Sequence, residues 1–279
     1  MDRLQAQRTF YASLITASVG IPASATRLIA AFSSVPRERF VGPGPWRVFT
    51  ASGYIMTPSD DAAFLYQDIV VALQGEGQIN NGQPTLHAAC LAALRIEPGE
   101  TAVHVGAGSG YYSALLAELV GQTGSIVAYE VEEELAQRAV TNLASYSNVA
   151  VEHRSGSEGP LPSCDIIYVS AGATDPMDVW LDALRPGGRL LFPLTPAQGA
   201  GGMLLVTRTT ADGFTARFVC QAMFIPCLGA RDDVVANKLT EAFKAGGLRN
   251  VQSLRRDGQP DGSCWCAGRG WWLSTEPVT

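Results

Sequence analysis

The part of this sequence best suited to chemistry is a run of glycines between an apolar stretch and a helix-forming one. It reads Val103-His104-Val105-Gly106-Ala107-Gly108-Ser109-Gly110-Tyr111. Glycine has no Cβ, so Gly106, Gly108 and Gly110 let the chain turn sharply and let a ligand approach the main chain. A helix opening near Tyr111 turns unpaired N–H groups and the positive end of its dipole toward that turn, which suits a carboxylate or phosphate. Glu130, with Val131 beside it, ends the next apolar stretch, 20 positions after Gly110. A carboxylate there can accept both hydroxyls of a ribose. Turn and acid together point to a cofactor with an adenosine end; a purely structural turn with a surface glutamate is the plainer reading. A dinucleotide fingerprint needs G-x-G-x-x-G. Its third glycine would fall at Tyr111, and the spacing here is G-x-G-x-G, which weighs against a nicotinamide-dependent oxidoreductase.

Such a turn works only at the end of a strand in an open sheet, where ligands bind beyond the strand C-termini. The flanking sequence supplies one. Helix is expected over 84–95 and 111–120, strand over 101–105, 125–129, 149–153, 165–170 and 189–193, and further helix over 132–144 and 177–184. Strands alternating with helices mean an α/β, Rossmann-like, doubly wound and mostly parallel sheet. Segments 203–208 and 214–226 read as a closing antiparallel pair. Before this core, residues 2–34 have apolar residues at helical spacing, broken near Gly20-Ile21-Pro22. Residues 41–84, rich in glycine, proline and polar side chains, read as an irregular binding loop or lid. The expected division is 1–83 as helical segment and covering loop, 84–229 as cofactor-binding domain, and 230–279 as a C-terminal extension. That extension holds a helix over 231–245 and a tail whose Trp265, Trp271 and Trp272 read as core for a small edge strand.

Composition narrows the partners. The chain is 47% hydrophobic and 16% charged, as a globular protein is, with a net charge of −6. An acidic chain lacks the electrostatic footprint of a phosphate-backbone binder, so no nucleic-acid partner is expected. No stretch approaches the length of a membrane span, and no signal-peptide pattern stands at the N-terminus, so no membrane partner and a cytoplasmic location are expected. The six cysteines then read as reduced thiols. Cys264-Trp265-Cys266 is C-x-C with no histidine nearby, so no metal site is expected.

Further motifs carry a resemblance. Val35-Pro36-Arg37-Glu38-Arg39-Phe40-Val41, Tyr66-Gln67-Asp68, Gly75-Glu76-Gly77-Gln78 followed by Gln83-Pro84, the glycine turn itself, Leu184-Arg185-Pro186-Gly187-Gly188-Arg189-Leu190 and Phe224-Ile225-Pro226 stand in matching order. Over roughly residues 3–229 the chain resembles the protein-L-isoaspartate O-methyltransferase family, as a diverged member. The resemblance implies a seven-stranded sheet and S-adenosylmethionine as methyl donor. It also implies methyl transfer to a carboxylate of an altered aspartyl residue in a protein or peptide. The alternatives are a small-molecule O- or N-methyltransferase, or a homologue that binds cofactor without turnover.

The departures from the family pattern fall at the site. The family's T-I-S triplet is replaced by Ile79-Asn80-Asn81-Gly82, and its active-site serine falls at Gly82. Its acid before the cofactor turn is His104, and its G-D-G after the third strand is Gly156-Ser157-Glu158, which makes His104, Ser157 and Glu158 candidate cofactor contacts. The loss of the triplet predicts little or no turnover on an isoaspartyl peptide. A carboxylate acceptor needs no general base, only groups that aim it, and Asn80, Asn81 and the amides near Gly82 can do so. His87 is the candidate base for any other acceptor. Ser170, in Val169-Ser170-Ala171-Gly172-Ala173, ends a strand where its hydroxyl can face the acceptor or cap the strand.

Overall fold

A computed structural model describes residues 2–74, 79–211, 213–256 and 259–278. The motif residues Gly75, Glu76, Gly77 and Gln78 lie outside the described residues. The chain packs as two units, each assembled from separate stretches: residues 1–99 with 107–154, and residues 100–106 with 155–279.

The first unit opens with α1 (Arg3–Ser18) and α2 (Thr26–Ser34), broken at Gly20 to Pro22 as their spacing predicts. Two short antiparallel pairs follow, β1 (Arg47–Thr50) with β2 (Gly53–Met56), and β3 (Ala72–Gln74) with β4 (Ile79–Asn80). The stretch expected to be irregular therefore carries hairpins. Trp46, Val48, Leu65 and Val71 bury themselves together beneath them, and that shared core fixes strands too short to show periodicity. After these come α3 (Pro84–Leu94), α4 (Tyr111–Val120), β6 (Ser125–Glu130), α5 (Glu133–Leu143) and β7 (Val149–His153). β6 and β7 pair in parallel, as a crossover through α5 requires.

The family-like motif residues of this unit are fasteners. Arg37 is fully buried, and its guanidinium donates to the carbonyls of Leu65, Gln67 and Ile69 and to Asn81 Oδ1. The Tyr66 hydroxyl donates to Glu38 and accepts from Arg8 Nε at 2.9 Å. Burial, with Glu38 alongside, pushes the Tyr66 phenol well above its usual range. Asp68 accepts from Thr85 N at 2.9 Å and from Thr85 Oγ1 and Gln83 Nε2, each at 2.8 Å. It thereby caps α3, whose own preceding residue offers no side-chain cap.

The second unit holds β5 (Thr101–Val105), β8 (Cys164–Val169), α6 (Asp178–Ala183), β9 (Leu184–Leu194), β10 (Gly201–Arg208), β11 (Phe214–Ala222) and α7 (Asp233–Ala245). The tail adds β12 (Ser253–Arg255), β13 (Cys264–Ala267) and β14 (Trp272–Ser274). Its strands run in the order β13-β14-β12-β11-β10-β9-β8-β5. β5, β8 and β9 are mutually parallel, and β9, β10 and β11 form the expected antiparallel closure. β5 to β11 are the seven strands the resemblance implies. The three tail strands are additional, because β12 pairs onto the edge of β11, β14 onto β12 and β13 onto β14. Phe218, Phe243 and Trp265 close the tail onto α7 and β11, with ring centroids 5.3 to 5.7 Å apart. Trp271 and Trp272 are buried, as core residues of an edge should be. Arg189 of the P-G-G-R segment grips Glu100 with two hydrogen bonds of 2.6 and 3.0 Å.

The fold is α/β and Rossmann-like. Among the described residues no helix is long and apolar enough to cross a membrane.

Candidate active site

The glycine turn runs from the end of β5 to the start of α4, and all three glycines have left-handed φ: +75° at Gly106, +56° at Gly108 and +98° at Gly110. The left-handed backbone disfavours side chains at these glycines, and packing is tightest at Gly110. A Cβ at Gly108 would lie 3.3 Å from Leu73 Cδ1, and one at Gly110 would lie 2.8 Å from Leu143 Cδ1. Internal bonds hold the turn: Ala107 N–H donates to the Tyr129 carbonyl and Gly110 N–H to the Ala107 carbonyl, each at 3.0 Å. Ser109 is buried and its carbonyl accepts from Asn142 Nδ2 at 2.9 Å. Tyr111 opens α4 and is buried, and burial raises its phenol well above the usual range.

Glu130 ends β6 and belongs to the same unit as Ala107 to Tyr111. Its Oε2 accepts the Gly108 N–H at 2.6 Å, and its Oε1 accepts the N–H groups of Val131 and Glu132 at 2.9 and 3.0 Å. The spacing read from sequence therefore becomes a direct contact between turn and acid. A carboxylate offers about four lone-pair directions, so capacity for a hydroxyl remains. Val131 is partly exposed beside it. Side-chain-free backbone, the open first turn of α4 and an adjoining carboxylate fit the two ends of an aminoacyl-adenosine cofactor.

Asn81, Gly82 and His87 also lie in the first unit. Asn81 is buried, and its Oδ1 accepts from Val71 N–H at 2.9 Å and from Arg37. That bonding anchors the loop rather than aiming an acceptor, although its buried Nδ2 has no partner among the described residues. Gly82 has φ +68°, its N–H donates to Asn80 Oδ1 at 3.0 Å, and a Cβ on it would stand 2.2 Å from His87 Nε2. The imidazole of His87 fills the place where a side chain at 82 would project. It is buried and stacked on Tyr112, with centroids 3.5 Å apart.

The second unit holds the remaining candidates. His104 Nε2 and Ser170 Oγ are 3.0 Å apart, brought together by the parallel register of β5 and β8. Complete burial pulls the His104 imidazole down to about 3, so it is neutral at physiological pH. A Cβ on Gly106 would lie 3.4 Å from Ala171 Cβ. Ser157 is buried, with its hydroxyl donating to the Leu228 carbonyl at 2.8 Å and paired with Ser155 Oγ at 2.7 Å. Glu158 is exposed next to it. The sequence reading did not single out Leu73 over the glycine turn or Arg37 under the loop. The apolar run Ile69 to Leu73 was the available signal for the first. Among the described residues, no group of three or more histidines, cysteines or acids is placed to hold a metal ion.

Comparisons with known proteins agree with this geometry. Residues 18–232 match the family described as Protein-L-isoaspartate(D-aspartate) O-methyltransferase (PCMT). A protein-L-isoaspartate O-methyltransferase of Methanothermobacter thermautotrophicus is 32% identical over 203 residues, covering 71% of this chain and 85% of that protein. Its counterpart from Brucella anthropi is 29% identical over 206 residues, covering 73% and 86%. A solved protein-L-isoaspartate O-methyltransferase superposes with a TM-score of 0.67 at 22% identity, covering 85% of this chain and 69% of that one, a likeness of fold.

Proposed function

We propose that this chain, which belongs to the protein-L-isoaspartate O-methyltransferase family of S-adenosylmethionine-dependent methyltransferases, methylates a carboxylate of an isomerised aspartyl residue in a protein or peptide. The observation that carries the reading is the contact between Gly108 N–H and the Glu130 carboxylate, within a turn whose left-handed glycines disfavour side chains. S-adenosylmethionine supplies an activated methyl group on a sulfonium. The acceptor carboxylate forms the new O–C bond as the S–C bond breaks and its electron pair stays on sulfur, leaving a methyl ester and S-adenosylhomocysteine.

This chain's own residues bind and orient. The amides of Ala107, Gly108 and Gly110 hold the turn, and those of Ser109 and Tyr111, at the N-terminus of α4, receive the amino-acid end of the cofactor. Glu130 accepts a ribose hydroxyl, and partly exposed Val131 offers an apolar face to the adenine. Asn81 holds the loop, with its oriented Nδ2 as a donor beneath it. Gly82 and His87 face the acceptor, with the imidazole in the space the family serine would use. Positive charge disperses as the methyl moves, and a carboxylate is nucleophilic without losing a proton, so aim and water exclusion dominate. His104, Gly106, Ser157, Glu158 and Ser170 belong to the second unit and keep only the candidate roles that their motif positions imply. His87 in the serine's space supports slow but measurable isoaspartyl turnover, in place of the near-absence expected from the lost triplet. The six cysteines are all free thiols, which suits a cytoplasmic setting.

The test offers methyl-labelled S-adenosylmethionine with an isoaspartyl peptide and its aspartyl twin. Label is expected on the isoaspartyl peptide alone, and lost in mild base as esters are. Equal labelling of both peptides, or a base-stable product, overturns the assignment.

A further inference from the structure

A cleft of about 430 Å³ opens in the first unit, walled in part by Trp46, Arg47, Leu73, Gln74, Glu134 and Arg138. Leu73 links it to the cofactor turn, because the same side chain stands 3.3 Å from the place of a Gly108 Cβ. The cleft is thus one side of the wall whose other side covers the glycine turn.

Its charges are unusual for a chain of net charge −6. Arg47 is half-buried and has no carboxylate partner among the described residues. Arg138, also half-buried, donates Nη1 to the Leu73 carbonyl at 2.9 Å and likewise has no carboxylate partner among them. The carboxylate on the same wall, Glu134, accepts from Gln74 Nε2 at 3.2 Å. Trp46 is buried, with its indole N–H donating to the Gly42 carbonyl at 2.9 Å, so its ring is fixed as an apolar surface. Two guanidiniums beside fixed apolar side chains suit a carboxylate on a short methylene stem, and arginine is the residue best shaped for carboxylates.

We propose that this cleft is a subsite for an acidic side chain of the acceptor polypeptide: Arg47 and Arg138 receive an aspartyl or glutamyl carboxylate near the residue being methylated, while Leu73 and Trp46 contact its stem. The proposal rests on the acceptor being a polypeptide, as inferred above. A contact remote from the reacting atoms is made equally in ground and transition states, so it lowers KM and leaves kcat unchanged. Half-buried ion pairs are screened by salt only in part.

The test compares two isoaspartyl peptides that differ only in a flanking Glu or Gln. The Glu peptide is expected to have a KM about five-fold lower, with equal kcat, and the difference is expected to narrow without vanishing in 0.5 M salt. Arg47→Gln should abolish the preference without changing kcat. Arg138→Gln should do the same, with an added effect on both peptides because it releases the Leu73 carbonyl. An unchanged Glu/Gln ratio in folded Arg47→Gln overturns the subsite, as does an equal fall in kcat for both peptides. Calorimetric titration of un-isomerised Glu and Gln peptides separates this from the acceptor assignment. Arg47-dependent binding of the Glu peptide with no methylation of any isoaspartyl peptide supports the subsite and refutes the assigned acceptor. Methylation with no Glu preference in either assay refutes the subsite alone.

Discussion

Restoring the family's serine at position 82 should harm this protein, and the structure says by how much. Gly82 has φ +68°, where a side chain costs about 1–2 kcal/mol. A Cβ there would also stand 2.2 Å from His87 Nε2. That ring cannot swing aside cheaply, since it is buried and stacked 3.5 Å from Tyr112, and forcing atoms into such a place costs roughly another 1–3 kcal/mol. Gly82→Ser should therefore lose about 2–5 kcal/mol. At roughly 2–4 °C per kcal/mol for a domain of this size, Tm should fall by about 4–20 °C. Thermal unfolding followed by circular dichroism reads it. The diagnostic experiment is the double-mutant cycle with His87→Ala, which removes the obstructing ring. The serine should cost only its backbone share in that background, a coupling of about 1–3 kcal/mol. Strict additivity of the two substitutions, or a stable Gly82→Ser single variant, would refute the claim that the imidazole holds the serine's space.

Two other perturbations have signs fixed by the structure. His104 titrates at about 3 when folded, against an ordinary 6.5, so its contribution is present above pH 6.5 and is lost as pH falls from 6.5 toward 3, where only the unfolded chain takes up the proton. At pH 5 the loss is about 2 kcal/mol. His104→Asn should therefore show a smaller fall in stability between pH 8 and pH 5 than the parent protein, and identical falls would contradict a buried neutral imidazole. Arg37→Met should cost about 3–5 kcal/mol, read as a lower urea midpoint, because it removes the guanidinium that donates to the buried carbonyls of Leu65 and Ile69 and leaves Gln67 and Asn81 with one backbone donor each. Lysine there should rescue little, since one ammonium cannot span those acceptors; a midpoint shift below about 1 kcal/mol would show that the loop is held by something else.

The core elements were legible because local signals agree there. β5, β7 and α4 begin and end where apolar runs meet glycine or polar turns, and the helix break before α2 follows from Gly20 and Pro22. The strand pairs β1–β2 and β3–β4 were not legible. Strands of two to four residues have no period to read, and their positions are set by Trp46, Val48, Leu65 and Val71 meeting across the sequence. β9 also runs longer than its apolar residues, starting at Leu184 and continuing through Pro186-Gly187-Gly188, where a turn would ordinarily be read. At the site, the turn and Glu130 were readable as a pair at the ends of successive strands, but the bond from Gly108 N–H to Glu130 was not. The pairing of His104 with Ser170 was not, since it depends on which strand lies beside β5 and in what register. The V-P-R-E and Y-x-D residues were readable as a pattern, but their work is not. Arg37, Glu38, Tyr66 and Asp68 make bonds that only the folded loop defines.

Calorimetric titration of S-adenosylhomocysteine into the parent protein, Gly108→Val and Glu130→Ala bears most directly on the central claim. One site is expected in the parent. Both variants, shown to be folded by circular dichroism, should bind at least about ten-fold more weakly, one because the turn no longer admits the ligand, the other because the ribose loses a charged acceptor. The same Kd in all three proteins would mean that the turn and its acid do not hold the cofactor.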